Sequence, residues 1–383
     1  MDKELEIYIH MPFCARKCNY CDFLSAPQTQ DVIESYIYKL INEIAARSGF
    51  FREYEVSTIF IGGGTPSVVD PYLIKQVLET VKRYYYVRMD AEITIECNPG
   101  STLRHKFSVY RESGINRLSI GLQSADNYEL KVLGRIHSFE EFLKCYQGAR
   151  MEGFDNINID LMNCFPSQTP STWRKTLKNV LMLKPEHLSV YNLIVEEGTP
   201  IKKMIECGSL KMPTEDVAAE IDSVTAELTS KYKFDRYEIS NYARPGYECR
   251  HNKGYWTGTE YIGFGLGASS LIKNIRFKNT SDLYTYLNKD FRELSLETFI
   301  DSEEEIERLS DEERMREFMI LGLRLTEGIK DLDFFVRFGK QVDDVYGGVL
   351  KKYEETGLIE RPERSIRLTD RGLDLANLVM GEF

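Results

Sequence analysis

The chain has 383 residues, a formal net charge of −11 and an isoelectric point near 5.2. That acidity excludes non-specific nucleic-acid binding, which needs a cationic face, and the length provides for one large or two modest domains with a sizeable core. No apolar stretch approaches the roughly 18–20 residues that span a bilayer, and Met1-Asp2-Lys3-Glu4 is no export signal, so the sequence reads as soluble and cytoplasmic.

Eight cysteines without a signal peptide are too few for a secreted disulfide scaffold. Peripheral contact at the inner face of the cell membrane stays compatible with this composition, because a folded apolar patch leaves no linear trace.

Short β-rich runs recur at 5–10, 58–61, 92–96, 117–122, 156–162 and 187–193. Between them lie segments such as 31–47 and 71–84 with apolar residues at helical spacing. Strand and helix alternating about six times predict parallel strands with right-handed crossovers. Either an open doubly wound sheet or a full or partial barrel would satisfy that pattern, and both gather functional residues at the carboxyl ends of strands. Polar motifs follow five successive strands here, which favours a barrel mouth over a single crevice. Beyond residue 200 the pattern predicts a helix over 214–232, a short strand over 237–242 and a glycine-rich loop or strand over 258–267. The acidic run 301–307 reads as a solvated linker or helix start. Helices over 312–325 and 342–356, then two short strands and a helix within 357–373, suggest a winged-helix-like module that packs on the main domain rather than reading DNA.

The chemistry is concentrated after the first strand, in His10-Met-Pro-Phe-Cys-Ala-Arg-Lys-Cys-Asn-Tyr-Cys-Asp-Phe23. Three thiolates at CxxxCxxC spacing, Cys14, Cys18 and Cys21, suit a 4Fe-4S cube, each taking one iron and leaving the fourth without a protein ligand. A structural zinc site would want four closed ligands, and no second cysteine pair follows; three buried thiols of no function are the remaining alternative. Gly62-Gly63-Gly64-Thr65-Pro66 follows the second strand and lets backbone approach a ligand without Cβ obstruction, although it could also hold a phosphate or make a tight turn. It has neither GxGxxG spacing nor a P-loop lysine. Glu96, Gln123, Arg135 and Asp160 would singly be caps, ion pairs or a surface cation. Together they offer a carboxylate for an ammonium, a guanidinium for a carboxylate, and amide or acid groups for ribose hydroxyls, a set complementary to S-adenosylmethionine.

With the aromatic Tyr20 inside the cysteine loop, these motifs resemble those of radical S-adenosylmethionine proteins. Tyr8-Ile-His-Met-Pro-Phe-Cys14, Gly62-Gly-Gly-Thr-Pro-Ser67, Ile120-Gly-Leu-Gln-Ser124 and Leu133-Gly-Arg-Ile-His-Ser138 resemble the oxygen-independent coproporphyrinogen III oxidase group, over nearly the whole chain. The resemblance implies an α/β fold: a partial (β/α)6 TIM-type barrel over 1–240, a motif-bearing connecting region over 241–300 and a small winged-helix-like domain over 301–383. It also implies that the cysteines hold the cluster, and that Tyr8, Tyr20, Gly63, Gly64, Thr65, Glu96, Gln123, Arg135 and Asp160 bind the cofactor. In that group reduction of the cluster cleaves the sulfonium to a deoxyadenosyl radical, chemistry that belongs to the cofactor.

Two departures argue against coproporphyrinogen oxidase activity. The oxidases carry a fourth cysteine, CxxxCxxCxC, where this chain has Phe23, and a longer leader before the first strand. His251-Asn-Lys-Gly-Tyr-Trp256 instead resembles the HNxxYW motif of the heme chaperone HemW branch. A neutral imidazole there could ligate heme iron while Tyr255 and Trp256 flank the porphyrin; a structural aromatic cluster is the plain alternative. Cys249 is a second iron ligand or a spectator thiol. His10 is expected to order the cluster loop through hydrogen bonds, His137 belongs to a family motif, and His105 and His187 read as ordinary polar positions. The resemblance implies heme received at His251, a cluster that promotes a homodimer, and delivery of heme to respiratory cytochromes. The rivals are a coproporphyrinogen III oxidase or another radical porphyrin-modifying enzyme, and a module in which both cofactors are structural switches.

Overall fold

In the computed structural model, which describes residues 3–101, 104–292, 295–301 and 303–383, six parallel strands form the scaffold. They are β1 (Lys3–Met11), β2 (Tyr54–Gly63), β3 (Tyr86–Cys97), β4 (Arg117–Gln123), β5 (Ile157–Asn163) and β6 (His187–Asn192), each hydrogen-bonded to the next. Side chains alternate across each strand, and the alternation separates chemistry cleanly. Leu5, Ile7 and Ile9, with Ile93, Ile95, Ile157 and Ile159, form the aliphatic face buried under the helices. The helix Pro71–Tyr84 is typical: Asp70 caps it, Pro71 opens it, and Ile74, Val77, Leu78 and Val81 make its buried stripe.

The opposite face is polar. Glu6, Thr58 and Glu92 stand in one row, and Glu96, Ser119, Asn158 and His187 in another. This is the concave interior of a partial barrel, as the resemblance implies. The strands do not close on themselves. β7 (Asp235–Arg236) and β8 (Asn241–Ala243) extend the sheet beyond β6. Beside β1 come the parallel β9 (Tyr261–Phe264) and then the antiparallel β10 (Ser269–Ile272), β11 (Ile275–Lys278) and β12 (Glu304–Arg308). The helix Arg250–Thr257 covers the polar interior between these edges, with the His251 and Cys249 amides donating to Glu92 and to Tyr237 respectively.

The structure departs from the sequence-based expectation at two places. In the acidic run, residues 304–307 belong to edge strand β12 instead of a linker, and Glu303 is buried against Arg47 (2.5 Å) and Lys289 (2.7 Å). Arg47 also binds Glu43 (2.6 Å), so the acid answers a buried cation. The run 237–242 is broken by a turn in which Arg236 donates to the Ile239 carbonyl and the Ser240 amide donates to Glu238.

The C-terminal module has its own core around Met319, Phe334, Leu350 and Ile366. Its small antiparallel sheet, in the order β13 (Ile329–Lys330), β15 (Ser365–Leu368), β14 (Ile359–Glu360), makes the expected wing. The module docks on the main domain through Thr326, whose amide donates to the Tyr237 carbonyl (3.0 Å), and Arg324, 4.3 Å over the Trp256 ring. Among the described residues no helix is long and apolar enough to cross a membrane.

Candidate functional site

The cysteine loop leaves β1 at the carboxyl end of the barrel and is pinned on both sides. Cys14 N donates to the Ala26 carbonyl, Asn19 N to the Leu133 carbonyl (3.0 Å), and Ile201 N to the Asn19 carbonyl (2.9 Å). His10 donates from Nε2 to the Leu24 carbonyl (2.9 Å) and accepts at Nδ1 from the Tyr8 hydroxyl (2.9 Å), ordering the loop as its position suggested. Cys14, Cys18 and Cys21 are all free and partly exposed. Burial raises the Cys21 thiol above its ordinary value.

Among the described residues no group of three or more His, Cys, Asp and Glu side chains converges on a single metal position. A cube does not need that convergence, since it takes each thiolate at a separate iron. The residues fit such a group: three pinned thiolate donors on one loop, with the Arg135 guanidinium 3.5 Å from Cys18 Sγ and its buried Nε left without a hydrogen-bond partner.

The glycine run has a reason that the sequence did not disclose. Gly64 N donates to the Met11 carbonyl and Thr65 N to the Phe13 carbonyl, so this turn is laced to the cysteine loop. A Cβ at Gly64 would come within 2.7 Å of both carbonyl oxygens at Met11 and Phe13, and one at Gly63, where φ is +106°, would overlap the His10 ring. The Gly63 amide is already given to Glu96 (2.9 Å). Backbone approach here serves the cluster loop first. Thr65 lies 3.4 Å from Cys14 Sγ.

Across the barrel mouth, Arg135 donates to the Gly121 carbonyl (2.6 Å), and Gln123 ends β4 at φ +73° beside a register shift. Asp160 accepts from Asn158 (2.8 Å) and Ser119 (3.0 Å). Tyr20 packs with Leu133, Met162 and Phe165. Burial, reinforced by Asp160, raises the Glu96 carboxyl to about 8. A buried carboxyl of this kind, hydrogen-bonded to the Gly63 amide but held by no cation among the described residues, favours a cationic ligand, which would let it ionise.

His251 is 1 % exposed. Its Nδ1 is 2.6 Å from the Thr58 hydroxyl and its Nε2 3.0 Å from the Tyr255 hydroxyl, and the ring stacks on Phe60. Burial lowers its pKa to about 3, so the imidazole is neutral. Both nitrogens are engaged, and Tyr255 stands between His251 and the open space. Cys249 is fully buried, 3.6 Å from Glu92, which makes it a spectator thiol of the barrel interior. His187 is also more than an ordinary polar position, being fully buried between Asn158 (2.6 Å) and Tyr237 (2.8 Å).

A cleft of about 750 Å³ joins the two motif sets. Tyr8, Gly63 and Glu96 line it, and so do Tyr255 and Trp256. Gly64, Thr65, Gln123, Arg135, Asp160, Tyr20, His251 and the three loop cysteines do not. Phe23, Tyr261, Arg276 and Lys278 also line the cleft, and sequence reasoning missed them. The one available signal was the exposed Phe23 (61 %) at the place of the oxidases' fourth cysteine.

Residues 8–180 match the Radical SAM superfamily, and residues 309–375 match the HemN C-terminal domain. Heme chaperone HemW of Bacillus subtilis is 33 % identical over 98 % of this chain and 98 % of that protein. The chain belongs to the heme chaperone HemW family. The HemW of Escherichia coli is 33 % identical over 88 % of this chain and 86 % of its own. In fold the chain is similar to the coproporphyrinogen III oxidase HemN of Escherichia coli, with a TM-score of 0.85, 23 % identity, and coverage of 99 % of this chain and 90 % of that one. That likeness shows the architecture alone. Its radical SAM domain gives this HemW family member a 4Fe-4S cluster and S-adenosylmethionine as cofactors.

Proposed function

We propose that this chain is a heme chaperone that holds heme as cargo in the cleft between the S-adenosylmethionine pocket and the helix Arg250–Thr257. The observation that carries this reading is that Tyr8, Gly63 and Glu96 share one cavity with Tyr255 and Trp256, the aromatic pair of the HNxxYW motif. Membership of the HemW family supports it. In this reading Cys14, Cys18 and Cys21 bind the cluster, which when reduced supplies an electron to the sulfonium. Glu96 takes the cofactor's ammonium, Arg135 its carboxylate, and Tyr8, Tyr20, Gly63, Gly64, Thr65, Gln123 and Asp160 complete the pocket. The 1–240 barrel carries the cofactors, 241–300 the heme motif, and 301–383 covers Trp256.

His251 reaches heme iron when Tyr255 releases Nε2: its low pKa keeps the ring neutral at physiological pH, and the tautomer with its proton on Nδ1, donated to Thr58, leaves Nε2 a free lone pair. Anaerobic heme titration tests this. His251→Ala should abolish the low-spin heme spectrum, and Tyr255→Phe, which frees Nε2 without removing the ring, should retain or strengthen it. If His251→Ala binds heme with an unchanged spectrum, ligation at His251 is wrong. Turnover of coproporphyrinogen with S-adenosylmethionine and reductant would favour the oxidase rival. Delivery to respiratory cytochromes in the cytoplasmic leaflet's neighbourhood, through peripheral membrane contact and a cluster-promoted homodimer, completes the proposal. Heme transfer to an apocytochrome in vesicles, and sedimentation with and without cluster, check those steps.

A further inference from the structure

The cleft has charge at both ends, and only one end belongs to the cofactor motifs. Asp22 and Glu96 are its acids. Its cations are Arg276 and Lys278, two residues apart on β11 and therefore on one face of the strand. The register builds the rest of that wall: Leu271 opposes Arg276, Ser269 opposes Lys278, and Tyr261 opposes Leu271, so all five side chains share a face and all five line the cavity. From β11 to β3, which carries Glu96, is five strand steps in the sheet order. At about 4.8 Å per step that is roughly 24 Å along the curved sheet, enough to hold a macrocycle between the two charged ends.

Resting on the heme reading, we propose that Arg276 and Lys278 are the cargo's carboxylate clamp, binding the two propionates of the porphyrin while Tyr255 and Trp256 lie along its plane. Two cations separated by about 7 Å along one strand match two flexible carboxylates on one edge of a planar ring. Arg276 is held ready by a bidentate pair with Glu317 (2.8 and 2.9 Å) and a bond to Glu307 (3.0 Å), and Lys278 pairs with Glu305 (3.1 Å). Glu305 is exposed and Lys278 half-buried at the cleft wall, so that pair is weak and exchanges readily for a ligand carboxylate. Arg276 has five donors, and its planar fork can serve a propionate beside Glu317 or in its place. Glu317 belongs to the helix Asp311–Gly322 of the C-terminal module, so the module orients the clamp.

The test is a comparison of heme with its dimethyl ester, in which both propionates are uncharged, by anaerobic titration of the full-length protein. Wild type should bind heme about tenfold or more tightly than the ester, as expected when charge-assisted hydrogen bonds are lost. The double variant Arg276→Gln, Lys278→Gln should bind heme as weakly as wild type binds the ester, with ester affinity unchanged. Glu317→Gln should keep the preference for heme, since it leaves both cations in place. The clamp is overturned if wild type binds both ligands alike, if the double variant keeps the preference, or if it loses both ligands equally. Binding of neither ligand by wild type would remove the heme reading itself.

Discussion

Substitution of Glu6 by Gln should stabilise the folded chain above neutral pH and flatten the pH dependence of its stability. Glu6 points into the barrel interior at 2 % exposure, and its Oε2 has no hydrogen-bond partner. Burial raises its carboxyl from 4.5 to about 9, a hydrogen bond with Thr58 opposes the rise, and Glu4 and Glu92 add to it. An acid whose pKa rises on folding binds its proton more tightly in the native state. Its contribution to stability is fully present below pH 4.5 and is lost as pH climbs through about 9. At 1.36 kcal/mol per unit, the three units between 4.5 and pH 7.5 amount to about 4 kcal/mol. Gln matches the protonated acid in shape and does not ionise in either state. Denaturant unfolding of both proteins at pH 5.5, 6.5, 7.5 and 8.5 should therefore show a difference in favour of the variant that grows by about 1.4 kcal/mol per pH unit. An ionised Glu6 paired with protonated His251, 3.8 Å away, would hold the same single proton and give the same slope, so the slope counts the proton and the imidazole 15N shifts locate it. A constant or falling difference would mean that the folded chain holds no extra proton at Glu6 and would refute the raised carboxyl.

Arg47→Ala should lower stability by about 3–5 kcal/mol, because it leaves Glu43 and Glu303 buried without their shared cation, and the melting temperature reports it. Replacement of Cys14, Cys18 and Cys21 by Ser should abolish the iron-sulfur absorption after anaerobic reconstitution. The same variant should change the far-UV spectrum little, since backbone hydrogen bonds at Asn19 and Ala26 pin the loop independently of the thiols. Gly64→Ala should reduce cluster occupancy more than it reduces stability, because its Cβ presses on the carbonyls of Met11 and Phe13 at the root of that loop. Iron content per chain set beside the unfolding midpoint separates the two effects.

The six barrel strands were legible because one face of each is aliphatic at period two, as in Leu5, Ile7 and Ile9, and the helices between them carry a 3.6-residue stripe. Strand ends were less so: β2 begins at Tyr54, four residues before its apolar run. β12 was illegible because it is an edge strand of exposed side chains, and its neighbour Glu303 answers an arginine 256 residues away. The cysteine loop declared itself by spacing alone. Arg276 and Lys278 could not, since nothing local marks a strand that joins the sheet three places out from β1. His251 was legible as a motif member and illegible as a buried one, because its partners Thr58 and Phe60 come from a distant strand.

The spacing of the HNxxYW motif follows from the polar interior that its helix covers. Barrel interiors are ordinarily filled by aliphatic layers; here the rows contain Glu6, Glu92, Arg117, Asn158 and His187, and each buried polar group must find a partner on the covering helix or a neighbouring strand. Glu92 receives the amides of Arg250 and His251 and lies 3.6 Å from the Cys249 thiol, which fixes the first turn of the helix. His251 then meets Thr58, and one turn on, at the same face, Tyr255 meets His251. Between them Gly254 lies directly against the Glu6 carboxyl, where any Cβ would overlap it. A rotation of the helix by one residue would unpair all of these groups at once, at a cost no apolar contact in the region offsets. The placement of Tyr255 and Trp256 in the cleft is therefore set from beneath by buried hydrogen bonds to β2 and β3 and by the close fit of Gly254 on Glu6 of β1. Those strands present Tyr8, Gly63 and Glu96 at their other ends, so cargo wall and cofactor wall are held by the same three strands.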